Sequence, residues 1–166
     1  MLAANRIVTH AELYAGFPER SVGLIPARGG VAQSLARAAA AGVEDPAVAA
    51  FAVTSSCEVS TSAWQAGDWH LLRAEDEVVA SARRVLAEAK AAALDMLASG
   101  WTPPADVPLP LHSPDAEPLD AGWAEASETD QAIVGRLAAI LTGSEPGARR
   151  PRRRSWPARS TPPSTC

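Results

Sequence analysis

The sequence predicts an α/β chain that is mostly helical. A run of branched residues at Arg6–His10 is typical of a β-strand. Three longer stretches, 31–41, 77–97 and 127–143, repeat apolar residues at steps of three and four, which is the helical period. The stretch 102–126 holds six prolines and shows little periodicity, so we expect an extended linker there.

The stretch after the first strand begins with strand-type residues and reaches a lone carboxylate. Leu13–Phe17 has strand-type side chains, with Gly16 at the point where the backbone must bend. Pro18 ends any strand ladder because it fixes φ and lacks an N–H. This order predicts that Glu19 lies just past the end of a strand.

A short apolar run, Val22–Ile25, follows and is closed by Pro26. Gly29 and Gly30 then supply permissive dihedrals directly before a helix that opens near Val31. A carboxylate that faces a glycine turn at a helix N-terminus is suited to acid–base chemistry, because burial favours its protonated form and the helix end offers N–H groups to an anion. The spacing alone favours a plainer interpretation, a solvated turn glutamate followed by a simple tight turn.

Glycine, aspartate and proline delimit the next helices. Gly42 ends the first helix. Asp45 before Pro46 is an N-cap followed by proline at the first helical position. The expected apolar face of this second helix comprises Val48, Phe51 and Ala52.

A brief helix is predicted over 63–67, with Thr61 or Ser62 as its N-cap. Two tryptophans, Trp64 and Trp69, lie in and just after it. We expect both to be packing residues, because large aromatic side chains are usually buried.

The strongest helical pattern extends from Glu77 to about Leu97, with Asp76 as its predicted N-cap. Gly100 lies where a C-cap glycine is expected, and Pro103 blocks continuation. A last helix is predicted between Ser127 and Gly143. Its apolar stripe comprises Ile133, Val134, Leu137, Ala138 and Leu141.

Charge is distributed unevenly along the 166 residues, whose net charge is −4. Residues 149–166 carry six arginines and no acidic residue, whereas 1–148 carry nine basic and nineteen acidic residues. An acidic body has no reason to seek nucleic acid or an anionic membrane. No apolar run approaches membrane-spanning length, so we expect a cytoplasmic protein without a membrane partner.

The usual cofactor signatures are missing from the sequence. His10, His70 and His112 lack the spacing to each other, or to Cys57 and Cys166, that a metal site needs. Two distant cysteines give no disulfide framework, and no dinucleotide-binding G-x-G-x-x-G occurs. We therefore expect no metal and no cofactor in this chain.

The stretch 11–30 reads AELYAGFPERSVGLIPARGG. It matches the run A-E-x-Y-x-G-x-x-E-x-x-V-G-L-I-P-x-x-G-G and thereby resembles the crotonase (enoyl-CoA hydratase/isomerase) superfamily. More specifically, it is similar to the hydratase part of fused bacterial 3-hydroxyacyl-CoA dehydrogenase/enoyl-CoA hydratases of fatty-acid β-oxidation. The resemblance covers roughly residues 2–143. Further similar runs are TSA at 61–63, LLRAEDEV at 71–78, LAEAKAAAL at 86–94, GWTPP at 100–104 and SETDQAIVGRLAAILTG at 127–143.

The resemblance implies four parts. They are the C-terminal part of a crotonase-like domain (a ββα spiral) at 1–101, a Pro-rich linker at 102–126, a helix of the family's C-terminal region at 127–143 and a disordered basic tail at 144–166. Since only the later turns of a spiral would be present, we expect unpaired strand edges and an uncovered apolar face.

In the family, water is added to an enoyl-CoA thioester by two carboxylates and an oxyanion hole. The resemblance assigns Glu19 as the second carboxylate. The G-G-G-x-E segment that supplies the first glutamate and an oxyanion glycine maps before Met1, so we expect little or no activity from this chain alone. NAD would belong to the dehydrogenase part, which is absent here. The positions assigned to acyl-CoA binding are Gly16, Gly23, Pro26, Gly29 and Gly30.

Three positions depart from the family pattern. Ala27 stands where glycine is usual, with the bulky Arg28 beside it. Glu58 stands where relatives usually have lysine, and His70 replaces a glycine.

Two alternatives remain open for the function. The chain could complete its active site with a separately encoded N-terminal piece or with other crotonase subunits. It could instead be a non-catalytic module whose basic tail, with five arginines in 149–154 and Trp156, binds nucleic acid. The tail has no apolar face and is expected to be disordered, and its composition is typical of a GC-rich gene read in a shifted frame.

Overall fold

A computed structural model describes residues 1–103 and 108–144. The described chain is mostly helical, with two short strands and three short 3₁₀ helices. The predicted tail beyond Ser144 lies outside the described residues. The strands are β1 (Val8–His10) and β2 (Glu77–Val79), and the helices are α1 (Gly30–Ala40), α2 (Pro46–Ser55), α3 (Ala63–Asp68), α4 (Val85–Ala98) and α5 (Glu128–Thr142). The 3₁₀ helices cover Pro18–Val22, Ala82–Arg84 and Ala121–Trp123.

The two strands form a parallel pair in which Val8 lies opposite Glu77 and His10 opposite Val79. The predicted helix from Glu77 is therefore wrong at its start, because α4 begins only at Val85. Pairing with β1 makes residues 77–79 a strand, and the Glu77 N–H donates to the carbonyl of Ile7 at 2.8 Å. Tertiary partners of this kind regularly override a local helical pattern.

Helix α2 begins at the predicted Pro46, and α1 begins at Gly30, one residue before the predicted Val31. Gly29 precedes α1 with φ of 79°, and the Asp45 carboxylate accepts hydrogen bonds from two N–H groups in the first turn of α2. The predicted apolar face of α2 is wrong at two positions, since Val48 is 46% exposed and Ala52 is exposed. The sequence PAVAAFAVTS is apolar all round, so its periodicity favours no face. The buried residues of α2 are Ala47, Ala50, Phe51, Thr54 and Ser55.

The last helix agrees with its prediction at both ends and along its apolar stripe. The Ser127 hydroxyl accepts a hydrogen bond from the Asp130 N–H, and Gly143 ends the helix with φ of 74°. The five predicted stripe residues are the buried residues of α5. They pack with α1 and α2 in the larger core cluster, which also contains Val31, Leu35, Ala47, Ala50 and Phe51.

A second, smaller core cluster lies around α3. Ala15, Phe17, Ala66 and Leu71 are buried in it, and Trp69 packs against it. Ser62, one of the two predicted N-cap candidates, caps α3. Trp64 is 66% exposed, so its prediction as a packing residue is wrong. The reason is that Ala63 and Ala66 form the buried side of this short helix, which leaves residue 64 on the outer side.

The described part of the proline-rich segment lies against the larger core cluster. Leu109, Leu119 and Trp123 pack on it. The buried His112 donates its N–H to the carbonyl of Leu141 at 2.9 Å, and its ring Nδ1 lies 3.5 Å from the Asp45 carboxylate. The described part of this segment therefore packs on the helices although the only helix among its described residues is one 3₁₀ turn.

Helix α4 has no buried residue. Its leucines are strongly exposed, with 82% at Leu86 and 74% at Leu97. In the part of the chain that the structure describes, no helix combines the length and apolarity needed to cross a membrane.

Candidate functional site

Glu19 lies in the 3₁₀ helix Pro18–Val22, which connects the smaller core cluster to the glycine turn. The strand predicted over Leu13–Phe17 is reduced to one antiparallel bridge between Gly16 and Val59. Glu19 thus follows a single bridge rather than a continuous strand. Its carbonyl accepts the Leu24 N–H at 3.0 Å, which closes the turn.

The Glu19 side chain is partly buried, and its Oε2 is buried without a hydrogen-bond partner. Leaving a buried polar group unpaired typically costs about 1–3 kcal/mol. Such an atom in a folded protein is therefore a candidate for contact with a ligand.

Apolar side chains are exposed just after Glu19 along the chain. Val22 is 72% and Leu24 is 59% exposed. Gly23 and Ile25 line an open groove of about 480 Å³ against α5, whose side is formed by residues such as Thr129. Glu19 does not line this groove itself, but the groove and the exposed apolar residues follow it directly in the same loop, and such a combination can accept a ligand that is part apolar and part polar.

The glycines that the resemblance assigned to the site each have a structural explanation. A Cβ at Gly16 would lie 2.0 Å from the carbonyl oxygen of Glu58, and one at Gly30 would lie 2.6 Å from the ring of Phe17. Gly23 and Gly29 instead have positive φ, at 74° and 79°. These explanations neither require nor exclude contact with a substrate.

In the loop before α1, a bulky residue, Arg28, has left-handed backbone dihedrals. Arg28 has φ of 56°, in the left-handed region that glycine adopts easily. Pro26 is buried just before it. The family departure noted at Ala27 therefore falls one residue before the position where the backbone favours glycine.

The structure brings the start of the Glu19 turn beside the start of α1, through the contact of Phe17 with Gly30. In the described chain, however, no hydrogen bond joins the Glu19 carboxylate to the N–H groups of α1. The turn that carries Glu19 and the glycine turn before α1 therefore lie near each other, as predicted, but no hydrogen bond joins the carboxylate to the helix start.

An ion pair that the sequence did not indicate lies beside Glu19. The Arg20 Nη1 donates to Oδ1 of Asp130 at 2.6 Å. Hydrogen bonds from Arg20 and from Ser127 hold the pKa of the Asp130 carboxyl below its usual value. No local pattern could have revealed this pair, because its members are 110 residues apart.

A second missed group is the fully buried Asp76 carboxylate. It accepts the Ile7 N–H at 2.8 Å and hydrogen bonds from Arg37 and Arg73. Burial alone raises the pKa of Asp76, but the bonds from Arg73 and Ile7 and the charge of Arg73 outweigh burial and lower it. The Asp76 carboxylate joins Ile7, Arg37 and Arg73 within the packed interior, so we assign it a role in stabilising the fold.

The described residues contain no candidate metal site. Within residues 1–103 and 108–144, no three His, Cys, Asp or Glu side chains are grouped so that they could hold an ion. The functional groups around the Glu19 turn are the Arg20 guanidinium, the Asp130 carboxylate and the apolar side chains of the loop.

The chain is 29% identical over 160 residues to the probable 3-hydroxyacyl-CoA dehydrogenase of Bacillus subtilis (strain 168). This match covers 87% of the chain and 19% of that protein, so the chain spans about a fifth of the length of this relative. No protein-family model matches the chain, and no solved structure matches it.

Proposed function

We propose that this chain is part of a fatty-acid β-oxidation enzyme that acts on acyl-CoA thioesters. In this proposal Glu19 supplies one of the two carboxylates that add water to a 2-enoyl-CoA. The observation that carries the proposal is the buried, unpartnered Oε2 of Glu19, in a turn that exposed apolar residues follow along the chain. The similarity to a probable 3-hydroxyacyl-CoA dehydrogenase supports it, because water addition to a 2-enoyl-CoA yields a 3-hydroxyacyl-CoA.

The proposed chemistry needs a proton donor near the carbon next to the thioester carbonyl. One carboxylate activates water for attack on the more distant carbon of the double bond, and charge develops on the thioester oxygen. The second carboxyl group then delivers a proton to the nearer carbon. Glu19 takes this second role, since its unpartnered oxygen has no competing hydrogen bond to break.

The 166 residues contain no G-G-G-x-E segment, so this sequence lacks the first carboxylate and an oxyanion donor. Losing one oxyanion donor typically lowers the rate by about a hundred- to a thousandfold. We therefore propose that the chain alone is a weak hydratase at best and that a polypeptide carrying the missing segment completes it. Oxidation of the hydroxyl product with NAD would belong to a separate dehydrogenase part.

Hydration of crotonyl-CoA tests this proposal. The rate is measured for the chain alone and with an added polypeptide that contains the G-G-G-x-E segment. We expect activity only in the mixture. Glu19→Gln should then lower kcat by about 10²- to 10⁴-fold, the usual contribution of a general acid or base.

Glu44→Gln is the matched control, because Glu44 is an exposed carboxylate far from the turn in sequence. It should leave the rate unchanged. Equal rates for the Glu19→Gln variant and the unmodified chain, in the active mixture, would reject the role proposed for Glu19.

A further inference from the structure

Arg20 ties the turn that carries Glu19 to two helices. Its Nε donates to the carbonyl of Ser55, the last residue of α2, at 2.7 Å. Its Nη1 donates to Asp130 in the first turn of α5. The guanidinium also lies over the ring of Trp123, 4.7 Å from the ring centroid. One side chain therefore connects the turn to three separate segments.

The turn has little else to fix it. None of the residues Pro18–Val22 is fully buried, and none belongs to either hydrophobic core cluster. The buried Phe17 fixes only its entry. Since Glu19 and Arg20 are adjacent, the anchoring of Arg20 also determines where the Glu19 backbone lies.

The charge of Arg20 is already matched by Asp130. The Asp130 Oδ1 accepts from Arg20, and its Oδ2 accepts from the Ser127 hydroxyl at 2.8 Å. Among the described residues, no ion pair joins Arg20 to Glu19. Arg20 therefore makes no ion pair with the Glu19 carboxylate, whose Oε2 stays without a hydrogen bond. Any effect of Arg20 on Glu19 comes from fixing the backbone of the turn.

We propose that Arg20 is a positioning residue for Glu19. It holds the Pro18–Val22 turn against α2 and α5, so that the Glu19 carboxylate keeps one buried oxygen free for the reacting group. This role makes the start of α5 part of the site, although it lies far along the chain. The inference rests on the proposed function of Glu19.

Carbon NMR of the glutamate carboxyl groups, recorded on the full chain, tests the proposal. The Glu19 signal is identified by its loss in Glu19→Gln. Arg20→Ala should shift this signal toward those of exposed glutamates, and Asp130→Asn should shift it in the same direction. Arg84→Ala is the matched control and should leave the signal in place, because Arg84 pairs with Glu88 on α4.

Arg20→Lys provides a milder variant that keeps the charge. Lysine cannot reproduce the planar fork that donates to Ser55 and Asp130 while stacking on Trp123. In the completed hydratase we expect this variant to lower kcat by about ten- to a hundredfold, as a small misplacement of a reacting group does. KM should change little, since Arg20 makes no proposed contact with the thioester.

The outcomes separate the two proposals. If Arg20→Ala and Asp130→Asn lower the melting temperature but leave the Glu19 signal in its original place, Arg20 only stabilises the fold and the inference is overturned. If Arg20→Ala does not fold, the signal and kcat of Arg20→Lys decide in the same way. A shifted signal together with an unchanged rate for Glu19→Gln would reject the proposed function of Glu19 while leaving the positioning of its carboxylate intact.

Discussion

At the scale of single residues, backbone proximity explains Gly16. A Cβ there would lie 2.0 Å from the Glu58 carbonyl oxygen and 2.9 Å from the Val59 Cα. Both neighbours are backbone atoms, so neither can move aside without distorting the bridge between the two segments. The glycine permits a close approach that any other residue would prevent.

Gly16→Ala should therefore destabilise the protein by about 1–3 kcal/mol, the usual cost of forced overpacking. The free energy of unfolding in urea measures this. Gly122→Ala is the matched control, because a Cβ at Gly122 meets nothing within 4 Å. A Gly16→Ala variant as stable as Gly122→Ala would contradict the close approach.

His70 presents the opposite case, a side chain at a position that favours glycine. Its φ is 57°, and left-handed dihedrals cost a residue with a Cβ about 1–2 kcal/mol. His70→Gly should raise the free energy of unfolding by up to about 1 kcal/mol, because relief of strain exceeds the added chain entropy of glycine. Asp68→Gly, within α3, should lower it in the same denaturation experiment. A loss of stability in His70→Gly would show that its side chain contributes more than its backbone costs.

At the scale of secondary-structure elements, α4 and α5 differ in burial although both present leucines at helical spacing. Leu137 of α5 is fully buried, whereas Leu86 of α4 is 82% exposed. Helical periodicity identifies both as helices. It does not say which of them the core covers.

The same substitution in the two helices tests this difference. Leu137→Ala should cost about 2–5 kcal/mol, as expected for a buried leucine that leaves a cavity. Leu86→Ala should lie within about 0.5 kcal/mol of the unmodified chain. Thermal and urea denaturation of both variants provide the comparison, and equal losses would contradict the burial of α5.

At the scale of the whole molecule, Asp76 and Arg37 join distant parts of the chain. The Arg37 Nη2 donates to the carbonyl of Leu2 at 2.7 Å, and its Nη1 donates to the carbonyl of Leu71 at 3.1 Å. Together with the bond from Ile7 to Asp76, these contacts tie the N-terminal segment and β1 to α1 and to the residues after α3.

This network predicts a dependence of stability on pH. The folded protein lowers the pKa of Asp76 from its ordinary value of 3.8, so the ionised carboxylate stabilises the fold at and above that pH. The contribution is lost as the pH falls below 3.8 toward the folded value, where the carboxylate becomes protonated. The free energy of unfolding should accordingly decrease in this acid range.

Asp76→Asn should lower stability at neutral pH by about 3–5 kcal/mol, because it leaves a buried arginine without its partner. It should also flatten the decrease in acid. Urea denaturation of this variant and of Asp95→Asn, an exposed position on α4, measures both effects. An unchanged acid slope in Asp76→Asn would show that other carboxylates cause the decrease.

Much of the helical framework is determined by the sequence alone. Gly29, the pair Asp45–Pro46, Ser62, Ser127 and Gly143 place helix ends where the structure has them. These signals work because capping and dihedral preferences act within one turn of the residue concerned. The sequence also singles out Glu19, by its context and by the resemblance, and its catalytic role stays a prediction.

The tertiary structure decided what depends on partners far along the chain. Pairing with β1 made Glu77–Val79 a strand instead of the start of a helix. The neighbours of α2 selected its buried face, and an ion pair across 110 residues brought Asp130, at the start of α5, to Arg20. Local preferences amount to a few tenths of a kcal/mol per residue, so burial and pairing override them wherever the two disagree.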